Sequence, residues 1–295
     1  MSPSVVVIGD VLVDVVDGLA LPGGAGFNVA IGLAKLGNDV TLIGMVGDDD
    51  YGRQLEEACK GAVTLVKTPA PNGSAAAIAS RVDGTMQYEF NSAAKARSIV
   101  IEADAQHAID NADLVVVSCV ALEDGEQCDA LLSAVPDSRA RLVIDANPRP
   151  GYLDDASDVR AFGDNLRRIA PHAALLKLGD EDSQLLYERD VNETARQFLD
   201  AGAGGVLVTR GEHGASLEFR GLTKVSAPIH ELDSPIVDTI GAGDATLAAI
   251  VDSMLEQRPI WGSALERAMT IAALTCRVAG GDLQVPNDEL DSPAS

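Results

Sequence analysis

Aromatic side chains are scarce, 3% of the 295 residues with a single Trp261. Stacking platforms for nucleic-acid bases are made of such rings, so no nucleic-acid partner is expected. Basic residues are few as well, 22 Lys and Arg against 45 Asp and Glu, and the resulting formal charge of −23 repels phosphate backbones. The cysteines, Cys59, Cys119, Cys128 and Cys276, form no CxxC pair and no Cys/His cluster of zinc spacing, which points to a reduced, cytoplasmic chain. No basic segment precedes the first apolar run, and Asp10 and Asp14 interrupt that run. It therefore reads as a strand, and neither a signal peptide nor a membrane partner is expected. Internal repeats and low-complexity linkers are also missing. What is abundant is apolar surface, 46% of residues, enough for the core of one large domain over 1–295 with a small appendage.

The hydrophobic pattern alternates. Val5 to Ile8 is a β-branched run, the loop Gly23-Gly24-Ala25-Gly26-Phe27-Asn28 leads into a helical stretch from Val29 to Leu36, and Asp39 to Val46 is extended again. Strand, glycine turn and helix recur as far as Val206–Thr209, as in right-handed βαβ crossovers. The fold expected is α/β, a mainly parallel sheet between two helix layers. Thr68 to Ala94 breaks the rhythm: Ala75–Val82 and Met86–Phe90 flank Asp83-Gly84, a hairpin signal with no helix between. This predicts a small β flap over about 68–94, or an antiparallel edge extension with no moving role.

Asp238-Thr239-Ile240-Gly241-Ala242-Gly243-Asp244-Ala245-Thr246 runs from an extended segment into the apolar stretch Leu247–Leu255. Glycines around a small residue at a helix start let the amides of Gly241, Ala242 and Gly243 face one way, and the helix dipole adds positive potential. A carboxylate beside such an anion cradle suits a proton acceptor, and a hydroxyl attacking a phosphoryl group needs both parts. A capping role for Asp244 explains the residue type equally well. A dinucleotide loop fits less well, since Thr246 stands where its third glycine would be. At the ends of other strands, Asp14, Gly24, Ala25 and Asn28 offer the acceptors and amides that bind a polyol, or form a tight turn with an Asn near a helix start. Asp145-Ala146-Asn147-Pro148-Arg149 adds an amide, Asn147, and a cation, Arg149, suited to a phosphoryl oxygen or to the surface after a proline turn.

In this order the motifs resemble the ribokinase-like (PfkB) carbohydrate kinases, joined by Val46-Gly47-Asp48-Asp49-Asp50-Tyr51-Gly52 and by Val208-Thr209-Arg210-Gly211 to Gly214; the resemblance covers nearly the whole chain. It implies a three-layer αβα fold with a β lid, and Mg-ATP as phosphoryl donor to a sugar. Asp244 would be the base, with the amides of Gly241, Ala242 and Gly243 as the anion hole. Asp14, Gly24, Ala25, Asn28, Asn147 and Arg149 would hold the sugar and phosphoryl group, and Lys177, Thr209, Gly211 and Gly214 the nucleotide. Lys177 to Asp182 departs from the family's Asn-x-x-Glu magnesium motif, with Gly179 and Asp182 at those positions, so Asp182 is the candidate to hold magnesium through water. Asp238 and the Ile240 carbonyl fall at the family's monovalent-cation site, so K+ is a further candidate. The closest look is to bacterial fructokinases, with ketodeoxygluconate, another ketose or a nucleoside as alternative acceptors. A sugar-binding regulator without turnover is an alternative of another class; a nicotinamide-dependent oxidoreductase lacks its early glycine fingerprint. Because Asp17 to Pro22 is short, the lid is expected to be reduced to the 68–94 hairpin, giving partial closure or a roomier site. A monomer or homodimer is expected.

Overall fold

A computed structural model describes residues 2–16, 18–82, 85–135 and 141–286, with side chains described outside 79–88. In chain order the strands are β1 (Ser4–Gly9), β2 (Leu12–Val16), β3 (Leu19–Gly23), β4 (Asp39–Met45), β5 (Thr64–Thr68), β6 (Ala75–Val82), β7 (Thr85–Phe90), β8 (Leu114–Ser118), β9 (Arg141–Asp145), β10 (Leu175–Gly179), β11 (Gly205–Thr209), β12 (Ala215–Phe219) and β13 (Val225–Ala227). The helices are α1 (Ala25–Lys35), α2 (Asp50–Cys59), α3 (Ser92–Ala96), α4 (Ala103–Asn111), α5 (Gly125–Ala134), α6 (Ala156–Ile169), α7 (Asp180–Tyr187), α8 (Val191–Ala201), α9 (Ala242–Met254) and α10 (Trp261–Thr275).

Nine strands form one sheet in the order β13-β12-β11-β10-β9-β8-β1-β4-β5, parallel from β11 to β5 and antiparallel at β12 and β13. Its central strands are apolar on both faces, as strands between helix layers must be. In β1, Val5 and Val7 join one core with α1, α9 and α10, while Val6 and Ile8 join a second core with α4, α5, α6 and α8. On the first face, Gly32 lets α1 lie close to Ala248 of α9 and to the buried Leu283; a methyl at Gly32 would come within 3.2 Å of the Ala248 methyl. This packing brings the first turns of α1 and α9 together.

A second sheet, β3-β2-β6-β7, stands beyond the first, with β2 and β6 parallel at its centre. The lid is therefore four-stranded, not the single hairpin expected from the sequence, and the expectations of partial closure or a roomier site lose the short lid they rested on. Its extra half is the hairpin β2–β3. Asp17-Gly18 carries the same turn signal as Asp83-Gly84, and Gly18 has φ 81°, a conformation in which glycine is unstrained. Asp83-Gly84 itself and the tail beyond 286 lie outside the described residues. Among those residues no helix is long and apolar enough to cross a membrane.

Candidate active site

The parallel strands end together, and register fixes which ends are neighbours: Gly9 pairs with Ser118, Ser118 with Asp145, Asp145 with Lys177, and Gly179 with Thr209. Ligands of open α/β sheets bind beyond such ends.

Asp244 sits in the first turn of α9, buried. Asn28, from the first turn of α1, donates through Nδ2 to its Oδ2 at 2.9 Å. Burial raises the Asp244 carboxyl above its ordinary value and the charge of Asp145 adds to this, against Lys177, Arg149 and the Asn28 bond. Gly241 precedes the helix with φ 77°, and its α-carbon faces Gly281 so closely that a methyl there would strike the Gly281 backbone. Gly281 in turn lies against the Asn28 amide. The N–H groups of Gly243 and Asp244 fall in the first turn, where a helix has no acceptors of its own; Ala242 N–H makes a long 3.4 Å bond to the Thr239 carbonyl.

Beside this turn lies a buried ion pair. Lys177 Nζ donates to Asp145 Oδ1 at 2.7 Å, and Asp145 Oδ2 accepts from Ser118 Oγ at 3.1 Å and from Asn147 Nδ2 at 3.4 Å. The Lys177 ammonium also packs against Gly243, 3.5 Å from where a methyl would stand. Burial works against its charge, but Asp145, Asp182 and Asp244 together raise the amine above its ordinary value. Asp182 is drawn back onto its own helix, accepting the Gly179 N–H at 2.7 Å through Oδ2; burial raises its carboxyl while Lys177 opposes.

The other wall is the junction with the second sheet. Asp10, next after β1, is buried and accepts the Gly26 N–H at 3.0 Å; burial pushes it up to about 6, with Asp244 adding to this and the Gly26 bond, Arg149 and Arg97 opposing. Gly26 is required there, because a methyl would lie 2.8 Å from the Gly9 backbone. Gly24, at φ 98°, and Ala25 open α1 at this point. Asp14, on β2, is half-buried, and burial likewise pushes it up to about 6, against the charge of Arg149 and with that of Asp238. Arg149 is exposed, and its charge lowers all three of Asp10, Asp14 and Asp244.

Thr209, Gly211 and Gly214 cluster farther along the sheet, where Gly214 (φ 78°) seats its turn against the Ala227 carbonyl and Pro228. Asp238 spends one carboxylate oxygen on the Ile240 N–H (3.0 Å) and the other on the Gly280 N–H (3.2 Å), so the side chain braces a loop. Most of the sequence candidates thus follow strands of the main sheet, with Thr209, Gly211 and Gly214 apart from the rest, while Asp14 lies on the second sheet. Asp10 entered the sequence reading only as an acid that interrupts the first apolar run, and Asp145, which opens the Asp-Ala-Asn-Pro-Arg stretch, is the partner of Lys177. Arg97 carried no local signal.

A profile described as pfkB family carbohydrate kinase matches residues 5–288. The fructokinase of Rhizobium leguminosarum bv. trifolii is 31% identical over 239 residues, covering 79% of this chain and 71% of that protein. Among solved structures, the ATP-bound fructokinase of Xylella fastidiosa superposes with a TM-score of 0.78 at 19% identity, over 95% of this chain and 94% of that one. A fructokinase double mutant from Vibrio cholerae O395, with fructose, ADP and potassium ion bound, gives 0.76 at 20% identity, over 95% and 94%. The structural likenesses support the α/β fold with its smaller lid sheet.

Proposed function

The chain belongs to the pfkB family of carbohydrate kinases, and from that premise we propose that it transfers the γ-phosphoryl group of ATP to a sugar hydroxyl, with fructose as the acceptor. The observation that carries the mechanism is the placing of Asp244: a buried carboxylate, its affinity for protons raised, fixed by Asn28 in the first turn of a helix. A base so poised takes the proton of the attacking hydroxyl, while the free N–H groups of the same turn face the oxygens of the transferring group. Lys177, packed against Gly243, and Arg149 supply the positive charge that an otherwise strongly acidic chain needs if it is to hold phosphates. Asp10 and Asp14, with Asn28 and Asn147, offer acceptors and amides at fixed angles to sugar hydroxyls, and Thr209, Gly211 and Gly214 would line the nucleotide.

Magnesium is tested by the donor set. Among the described residues no three acidic, imidazole or thiol groups gather, so the protein offers no cage. Magnesium usually arrives on the phosphates with most of its waters, and for that arrangement one carboxylate suffices. Asp182, with Oδ1 left over from its bond to Gly179, would hold it through water. The ion would neutralise phosphate charge. A potassium ion near Asp238 would meet the Ile240 carbonyl in place of the engaged carboxylate.

The test is ADP release from Mg-ATP with fructose, ribose, ketodeoxygluconate, tagatose and several nucleosides. Fructose should give the highest kcat/KM; a higher value for another acceptor would replace fructose, and no turnover with any of them would overturn the reading.

A further inference from the structure

Arg149 leads directly into the tight turn Pro150–Tyr152, closed by the Tyr152 N–H on the Arg149 carbonyl at 2.9 Å. Tyr152 shares a small core with Leu12 and Ala75 of the lid, Ala93 and Ala94 of α3, and Met45 and Cys119 at the ends of main-sheet strands. The turn is gripped by the segment through which the chain leaves the lid, β7 into α3. The Phe90 ring at the end of β7 lies 4.4 Å, centre to centre, from the Tyr152 ring. Phe90 also presses on Gly151, where a methyl would come within 2.5 Å of the ring. The Arg97 guanidinium, just past α3, covers the Tyr152 ring at 4.1 Å from its centre. Lys95 of α3 pairs with Asp154 at 2.7 Å. Tyr152 is 5% exposed and Arg97 4%.

The charge that seats Arg97 is itself only partly satisfied. Its guanidinium pairs with Glu123, but its Nε and the second oxygen of Glu123 are buried without a partner. A well-packed apolar residue would hold a purely structural joint at less cost. Arg97 has φ 37°, a left-handed conformation that is strained in a non-glycine residue. The arrangement is thus over-determined around one ring.

We propose that Tyr152 is a positioning residue: clamped between Phe90 of the lid and Arg97, it ties the seat of the lid to the position of Arg149. This rests on the placing of Arg149 at the phosphoryl group in the reading above. The lid also carries Asp14 on β2, so sugar contacts and the phosphoryl-binding cation are registered through one rigid joint. A misplacement of about 1 Å at such a group typically costs on the order of a hundredfold in rate.

The experiment measures kcat, sugar KM and Tm for Tyr152→Phe, Tyr152→Leu, Arg149→Met and the double variant Tyr152→Leu/Arg149→Met, on the full chain with Mg-ATP and the preferred sugar. Tyr152→Phe keeps the ring and should stay within about twofold of wild type; Tyr152→Leu should lower kcat by roughly ten- to a hundredfold. In the Arg149→Met background Tyr152→Leu should cost no more than about a further twofold, because the group it positions is gone. If the two losses multiply, Tyr152 does not act through Arg149 and the proposal is overturned while the kinase reading stands. If Arg149→Met alone costs nothing, the placing of Arg149 fails and the proposal with it. Should Tyr152→Leu prove too unstable to assay, the same cycle run with Gly151→Ala, relieved by adding Phe90→Leu, decides between these outcomes.

Discussion

Replacing Asp244 with Asn separates catalysis from folding at a single atom. The amide keeps the shape of the carboxylate, and its oxygen can still accept the 2.9 Å bond from Asn28. What disappears is the capacity to take a proton. Removing a positioned general base typically costs 10²–10⁴-fold, roughly 3–5 kcal/mol of barrier, so kcat should fall by that factor while sugar KM changes little. Stability should move the other way. In the wild type, burial and the charge of Asp145 both penalise the Asp244 carboxylate, and that carboxylate in turn helps to push Asp10 up. An uncharged residue removes both penalties, so the variant should melt at or above the wild-type Tm near neutral pH, and Asp10 should titrate lower. The assay is coupled ADP release beside a thermal melt in one buffer. A kcat within tenfold of wild type would refute the base assignment. A dead variant with Tm several degrees lower would instead give Asp244 a structural role.

Asp10 and Asp14 bind protons more tightly folded than unfolded, about 6 against 3.8, so stability falls as pH rises through that window. At about 1.4 kcal/mol per unit this is roughly 3 kcal/mol for Asp10, less for the half-buried Asp14 after solvent screening; Asp10→Asn should raise the denaturation midpoint near pH 7.5 and leave it unchanged near pH 3.5, and equal gains at both would refute the sign. Lys177→Met strands the buried Asp145 carboxylate, which typically costs about 3–5 kcal/mol. Adding Asp145→Asn should recover most of that in chemical denaturation without restoring turnover, and full recovery of both would remove Lys177 from the phosphate site. Gly241→Ala meets the Gly281 backbone at a positive φ, so it should cost more than about 1 kcal/mol of stability and most of the turnover by displacing Gly281 from Asn28. Wild-type kinetics in that variant would show that the helix end tolerates movement.

The main sheet was legible because βαβ segments write their own period: Val5–Ile8, Leu114–Ser118 and Val206–Thr209 are short apolar runs that only a doubly covered sheet explains. The lid was half legible. Asp83-Gly84 stood between the two runs read as a hairpin, whereas Asp17-Gly18 joins two five-residue strands, of which β2 pairs with β6, a long-range fact that local pattern does not hold. The motifs singled out Asp244, Asn28 and the glycines, and at Gly24, Gly26 and Gly241 a positive φ or a near contact leaves glycine as the residue able to serve. Charge networks left no such trace. Lys177 and Asp145 are 32 positions apart in sequence, and nothing in either segment states that parallel register sets them side by side on β10 and β9. Arg97 and Tyr152 are still less legible, since nothing in either segment tells that the fold buries this Arg and stacks it on the Tyr ring. Local chemistry was therefore readable wherever backbone geometry restricted the residue type. The electrostatics that set Asp10 and Asp14 near 6 come from burial and from partners on other strands, and they had to wait for the fold.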